Sequence, residues 1–327
     1  MTALLSVENL RVEIAARGRT LTAIDDVSFA IGAGEILGVV GESGAGKSVT
    51  GTAILGLLEP PAALAGGRIW FAGRRIDTLD EESMRRLRGK EIAAVFQDPL
   101  TSLDPLMSVG EQLVETMLTH LPIRRREALA RAEDLLRTVG LPAPAERLRA
   151  YPHELSGGMR QRVVLALAFC CGPRLIIADE PTTALDVSVQ AQILDVLRRM
   201  CRENGTAVML VTHDMGVIAE ATDRVAVMYA GGLAEIGPTQ NLVEQASHPY
   251  TRGLMASIPS MARRRETLVQ IPGSMPRPDA PVSGCAFHPR CPSAEARCRT
   301  ERPPAFAVGA SRVACWLAAP ARESVCA

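Results

Sequence analysis

The sequence predicts an α/β fold: a mostly parallel sheet of buried strands covered by helices, with an antiparallel β subdomain at its start and a helical subdomain in its middle. Three observations carry this expectation. Glu35-Ile36-Leu37-Gly38-Val39-Val40 is a short apolar run without alternation, the mark of a strand buried on both faces, and it leads into a glycine-rich turn and a helix starting near Lys47. Two similar runs, residues 175–178 and 207–211, each end in polar residues, where an α/β sheet presents its ligands. Hydrophobic residues make up 47% of the chain and aromatic ones only 3%, so Ala, Leu and Val must fill the core, which suits helices on a sheet better than a β-sandwich.

The remaining elements follow in order. The first forty residues alternate polar and apolar positions around Ala16-Arg17-Gly18-Arg19 and Gly32-Ala33-Gly34, a pattern of antiparallel strands. Between residues 99 and 151 the text becomes helical: Leu129, Ala132, Leu135, Leu136 and Val139 share one face at helical spacing, and Gly140 follows as a C-cap. After Tyr250 the prolines at 259, 272, 276, 278 and 281 break any long element. The expected organisation is therefore a main domain over residues 1–250, with its helical subdomain at about 99–160, and a linker with a small irregular cysteine-bearing extension over 251–327.

Bulk properties narrow the class. Thirty-six basic residues balance 36 acidic ones, so no overall field draws the chain to nucleic acid, and no nucleic-acid partner is expected. No run approaches the 18 apolar residues of a membrane span, and Met1-Thr2-Ala3-Leu4-Leu5-Ser6 lacks a basic leader region. The expectation is a cytoplasmic chain that reaches any membrane through a partner. Eight cysteines in that compartment argue against a disulfide framework. Cys170, Cys171 and Cys201 are expected to pack as small hydrophobes, while Cys285, Cys291, Cys298, Cys315 and Cys326 crowd the tail.

The glycine-rich turn is specific. Gly41-Glu42-Ser43-Gly44-Ala45-Gly46-Lys47-Ser48 matches G-x-x-x-x-G-K-[ST] between a buried strand and a helix, the setting a phosphate cradle needs. Its backbone N–H groups, continuing into the helix at Val49, point at negative charge. Lys47 would reach the β- and γ-phosphates of a nucleotide, and the Ser48 hydroxyl would ligate Mg²⁺. A magnesium anchor and a base are then required, and Asp179-Glu180 supplies both at the end of the 175–178 strand. Asp179 would hold Mg²⁺; Glu180, on the other side of the strand, would deprotonate the attacking water.

These features define a P-loop NTPase. Leu155-Ser156-Gly157-Gly158-Met159-Arg160-Gln161-Arg162, just upstream of the Asp179-Glu180 strand, strongly resembles the signature of ATP-binding-cassette (ABC) ATPases. Physically it is a second anion-binding helix start. The resemblance implies that Ser156, Gly157 and Gly158 bind the γ-phosphate of ATP held on a partner's phosphate loop. Gln97, in Val95-Phe96-Gln97-Asp98-Pro99, is similar to the family's Q-loop glutamine, a contact for Mg²⁺ and the attacking water. His213 is similar to the switch histidine that contacts the γ-phosphate, and Ala184-Leu185-Asp186 to the loop that couples the two sites of a dimer. One departure stands out. The family stacks adenine on an early aromatic residue, yet Phe29 alone precedes the phosphate loop and is too near it, which leaves Ile14 or Leu21 as an apolar platform.

Tyr151-Pro152-His153-Glu154, Ser247-His248-Pro249-Tyr250-Thr251 and the stretch from Val95 to Pro105 resemble the oligopeptide/dipeptide importer ATPases, although Asp104 stands where Asn is usual. The resemblance implies an ATPase subunit at the cytoplasmic face of the membrane, held by two permease subunits, paired with a second homologous ATPase and served by an extracytoplasmic binding protein. Di- or oligopeptides are the expected cargo; nickel and glycosides stay open, and a soluble ABC ATPase of DNA repair or translation is the rival reading. The tail cysteines 285, 291, 298 and 315 also resemble that branch's extension. Their spacing admits a thiolate site, a 4Fe–4S cluster by resemblance, zinc as the alternative, or no metal.

Overall fold

The structure is a computed structural model, and it describes residues 3–182, 186–257 and 270–320. Its strands in chain order are β1 (Leu5–Ala16), β2 (Arg19–Ile31), β3 (Ile36–Val40), β4 (Ala62–Phe71), β5 (Arg74–Arg75), β6 (Ile92–Val95), β7 (Leu175–Asp179), β8 (Ala207–Val211), β9 (Arg224–Tyr229), β10 (Gly232–Pro238), β11 (Phe306–Val308) and β12 (Ser311–Val313). They form two sheets. The smaller, β2-β1-β4-β5, is antiparallel; the early alternation predicts β1 and β2, and β4 and β5 join them from beyond the phosphate loop. The larger runs β11-β12-β10-β9-β3-β8-β7-β6, with parallel pairing from β9 through β6.

Strands without alternation are explained by what lies on each side of them. In β8, Val208 and Leu210 face the core under the helices of the middle and signature regions, while Ala207, Met209 and Val211 face the core shared with the β subdomain and the helix Lys47–Ile54. Both faces are dry, so every position is apolar. In the helical region, Val109–His120 starts from a capping box between Ser108 and Glu111, and Arg125–Thr138 buries Ala128, Ala132 and Leu136. Leu129 is a correction: it is 39% exposed, and Ala128 occupies the buried turn in its place, because the stripe lies one residue earlier than the larger side chain suggests. Gly140 does follow the helix, at φ 76°. Cys170 and Cys201 are buried and Cys171 is half-buried.

The tail holds more order than its prolines and short segments suggest. Its β11–β12 hairpin extends the large sheet, with Glu235 opposite Val313 and Ile236 opposite Arg312. Phe287 enters a ring cluster with Tyr229 and Tyr250 at centroid distances of 5.2 and 5.4 Å. Burying each such ring stabilises the docking by about 1.5–3 kcal/mol. Arg302 pairs with Asp25 and Arg19 with Asp279, tying the tail to the β subdomain as well. Among the described residues, no helix is long and apolar enough to cross a membrane.

Candidate active site

The phosphate loop joins β3 to the helix Lys47–Ile54, and two of its glycines are needed for their backbone. A Cβ on Gly41 would come within 2.3 Å of the Met228 carbonyl oxygen, and one on Gly46, at φ 102°, within 2.4 Å of Ile24 Cδ1. Gly46 is also the N-cap of the helix. Ser43 and Gly44 are exposed at the loop's crest, Ala45 is buried beneath it with its carbonyl accepting from the Gly231 N–H, and Val49 packs on the core. Lys47 is buried and folds back over the loop, its Nζ donating to the carbonyl oxygens of Gly41 (2.8 Å) and Glu42 (3.1 Å). Burial lowers its pKa, and the carboxylates of Glu180, Asp179 and Glu42 oppose that shift.

Parallel pairing of β3, β8 and β7 sets Asp179 and Glu180 beside this loop. The Ser48 hydroxyl donates to Asp179 Oδ1 at 3.0 Å. Desolvation raises the Asp179 pKa, Ser48 opposes the shift, and the neighbouring Glu180 charge adds to it. Two oxygens of hard character, a hydroxyl and a partly desolvated carboxylate, meet here, a donor set that fits a magnesium ion. Bound there, the cation would neutralise phosphate charge; Ser48 and Asp179 would hold it, and Gln97 bonds to the adjacent Glu180.

Glu180 sits at φ 48°, a left-handed conformation uncommon for its residue type, held by its N–H donating to the Val211 carbonyl oxygen at 2.8 Å. Its two carboxylate oxygens are both engaged: Gln97 Nε2 donates to Oε2 at 3.1 Å, and His213 Nδ1 lies 3.1 Å from Oε1. Two residues that follow strands β6 and β8 thus converge on one carboxylate at the end of β7. The arrangement offers a base, an amide and an imidazole around the space next to the phosphate loop, which is what orienting a water for attack requires.

The signature residues stand elsewhere. Ser156 caps the helix Gly157–Phe169, its Oγ accepting from the Met159 N–H at 3.3 Å, and both Ser156 and Gly157 are exposed. Gly158 lets this helix approach its neighbour: a Cβ there would come within 2.8 Å of Val189 Cγ1. Asp186 is the exposed N-cap of the helix Val187–Asn204, while Ala184 and Leu185 lie outside the described residues. Ile14 and Leu21 are cross-strand partners and half-buried, so they present apolar surface, whereas Phe29 is buried in the core.

In the tail, Cys285, Cys291, Cys298 and Cys315 are free thiols. They lie within electrostatic reach of one another, and desolvation followed by neighbouring thiols raises the pKa of Cys285 and Cys315. Among the described residues, however, no group of three or more His, Cys, Asp or Glu side chains is arranged to hold a metal ion. The ligand set expected for a 4Fe–4S cluster or zinc is therefore not assembled among the described residues. Cys326 lies outside the described residues. Sequence reasoning missed Tyr250 and Arg290, which grip the phosphate loop from the tail side. The Glu42 N–H donates to the Tyr250 hydroxyl at 2.9 Å, and Arg290 Nη1 donates to both Glu42 carboxylate oxygens at 2.9 and 3.0 Å.

Comparison with known proteins agrees with this geometry. Residues 24–183 match the family described as ABC transporter, and residues 234–298 match the oligopeptide/dipeptide transporter C-terminal region. The chain is 45% identical to the dipeptide transport ATP-binding protein DppD of Bacillus subtilis, over 97% of its own length and 95% of that protein's. It is 46% identical to the oligopeptide transport ATP-binding protein OppD of Escherichia coli, over 92% and 89% of the two chains. Among solved structures, the dimeric post-hydrolysis state of the ATP-binding cassette MJ0796 with ADP and Pi matches with a TM-score of 0.65 at 26% identity, covering 72% of this chain and 98% of that one. With a phosphate loop, a paired-carboxylate strand and relatives matched along nearly their whole length, the chain belongs to the ABC transporter family, among the ATP-binding subunits of its oligopeptide/dipeptide branch.

Proposed function

We propose that this ATPase subunit powers the uptake of di- or oligopeptides, and that its nucleotide site works as follows. Gly41, Ser43, Gly44, Ala45, Gly46 and Val49 wrap the phosphates with backbone N–H groups. Lys47 leaves the carbonyls of Gly41 and Glu42 for the β- and γ-phosphates, regaining as a charge pair what burial costs it. Glu180 takes the proton of the attacking water, Gln97 and His213 hold that carboxylate and sense the γ-phosphate, and inorganic phosphate leaves with ADP. Ser156, Gly157 and Gly158 close the site of a second, homologous subunit, with Asp186 near the seam. The observation that carries this reading is the convergence of Gln97 and His213 on the two oxygens of Glu180, next to the Ser48–Asp179 pair.

The peptide cargo rests on the relatives, whose printed names are those of dipeptide and oligopeptide transport proteins. A binding protein and two permease subunits are the partners such a role needs. Large apolar side chains left in solvent near Gln97 in sequence, Phe96 at 44%, Leu100 at 56% and Leu106 at 86% exposure, support a protein contact in this region. The test is import. In vesicles carrying the complete complex, labelled dipeptide should accumulate with ATP and not with ADP, and a Glu180→Gln complex should accumulate none. Accumulation of nickel but of no peptide would overturn the cargo; copurification with ribosomes or DNA in place of membrane subunits would overturn the transporter role.

A further inference from the structure

Arg290 is the most deeply buried guanidinium near the phosphate loop, with its side chain 5% exposed, and nothing in the reading above uses it. It is held from behind by the tail itself: Nε donates to the Pro272 carbonyl oxygen at 2.8 Å and Nη2 to that of Ile271 at 3.3 Å. Its forward edge donates to both oxygens of Glu42 and to the Tyr229 hydroxyl at 3.3 Å, and its plane lies 5.8 Å from the Tyr229 ring centroid. Glu42, the second residue of the loop, is then fixed at three points: its N–H by Tyr250, its carbonyl by Lys47 and its carboxylate by Arg290.

That carboxylate needs explaining. A negative charge on the loop that binds a polyanion repels the ligand, and Glu42 also lies within electrostatic reach of Lys47, for which it competes with the phosphates. A guanidinium nitrogen shared between the two carboxylate oxygens cancels the charge and orders the loop before the nucleotide arrives. We propose that Arg290, supplied by the C-terminal extension, is a positioning residue of the nucleotide site, which neutralises and anchors Glu42 so that the phosphate loop is competent only when the tail is docked. The inference rests on the nucleotide-site reading above and adds the tail to that site.

The charge argument separates this role from a merely structural one. In the complete transport complex, Arg290→Met leaves Glu42 uncompensated, so the KM for ATP should rise about tenfold while kcat stays within about twofold. Adding Glu42→Gln to that variant removes the stray charge and should return KM to within about threefold of the parent. Arg290→Lys keeps the charge on Glu42 but loses the Nε and Nη2 bonds to the tail carbonyls; it should melt close to the parent and raise KM by only about threefold. An unchanged KM in Arg290→Met, or a double variant as impaired as the single, would overturn the inference. If Arg290→Met does not fold, Arg290→Lys decides: a KM equal to the parent's overturns the anchoring, a modest rise at unchanged melting temperature supports it. Lys47→Ala distinguishes the two levels. Should it still bind ATP, the nucleotide-site reading fails; should it lose ATP while Arg290→Met behaves as the parent, only the inference fails.

Discussion

Glu180 occupies a backbone conformation that costs on the order of 1–3 kcal/mol for a residue with a Cβ, and its N–H bond to Val211 and its two side-chain partners hold it there. Glu180→Gln keeps the shape and removes the proposed base, so ATP affinity should stay within a few fold while kcat falls by at least about 100-fold, as measured by nucleotide binding and phosphate release. Asp179 makes a different prediction, because its pKa is raised, chiefly by desolvation. A folded-state value above the unfolded one means that the native state binds the proton more tightly. The group therefore opposes folding at neutral pH, and the penalty fades as pH falls through the folded pKa. Asp179→Asn should raise the melting temperature of the nucleotide-free protein, by about 2 °C, while abolishing hydrolysis. A lower melting temperature in that variant, at pH 7 and without magnesium, would contradict the desolvation argument.

At the scale of elements, the proposed site assigns anion binding to two helix starts, and each has a measurable cost of repair. Gly46 combines φ 102° with a hypothetical Cβ 2.4 Å from Ile24 Cδ1 and 3.3 Å from the Ala23 carbonyl oxygen. Gly46→Ala should destabilise the chain by about 1–3 kcal/mol in urea unfolding, through strain and overpacking together. Ser156 caps the signature helix at its exposed end with a single 3.3 Å bond. Ser156→Ala should cost no more than about 1 kcal/mol of stability, yet cripple hydrolysis by the paired subunits. Full hydrolysis in that variant would remove the signature helix from its proposed role. Both starts were legible in the residues, because a glycine-rich turn after an apolar strand and a Ser-Gly-Gly before a helical run are local signals. Leu129 was not: a helix stripe rotated by one residue depends on which neighbour it meets.

Across the whole molecule, the signature residues stand exposed while the phosphate loop, Glu180 and His213 form one cluster on other elements. A composite site shared by two subunits predicts that the specific activity of isolated ATPase subunits rises with protein concentration, which a dilution series measures; a specific activity independent of concentration would count against it. For the tail, iron, sulfide and zinc analysis of anaerobically purified protein tests whether its four thiols ever converge on a metal. The amino-acid sequence alone determined the α/β class and the family, and it singled out the glycine-rich loop and the carboxylate pair from short runs of residues and Gln97 and His213 by resemblance. Only the tertiary structure decided that the proline-rich tail returns to extend the central sheet through β12 and sets Arg290 on Glu42, 248 positions away in the chain. Three-residue strands and a single arginine carry no periodic signal, and their partners are chosen by burial and charge in the assembled core, which no local stretch of residues encodes.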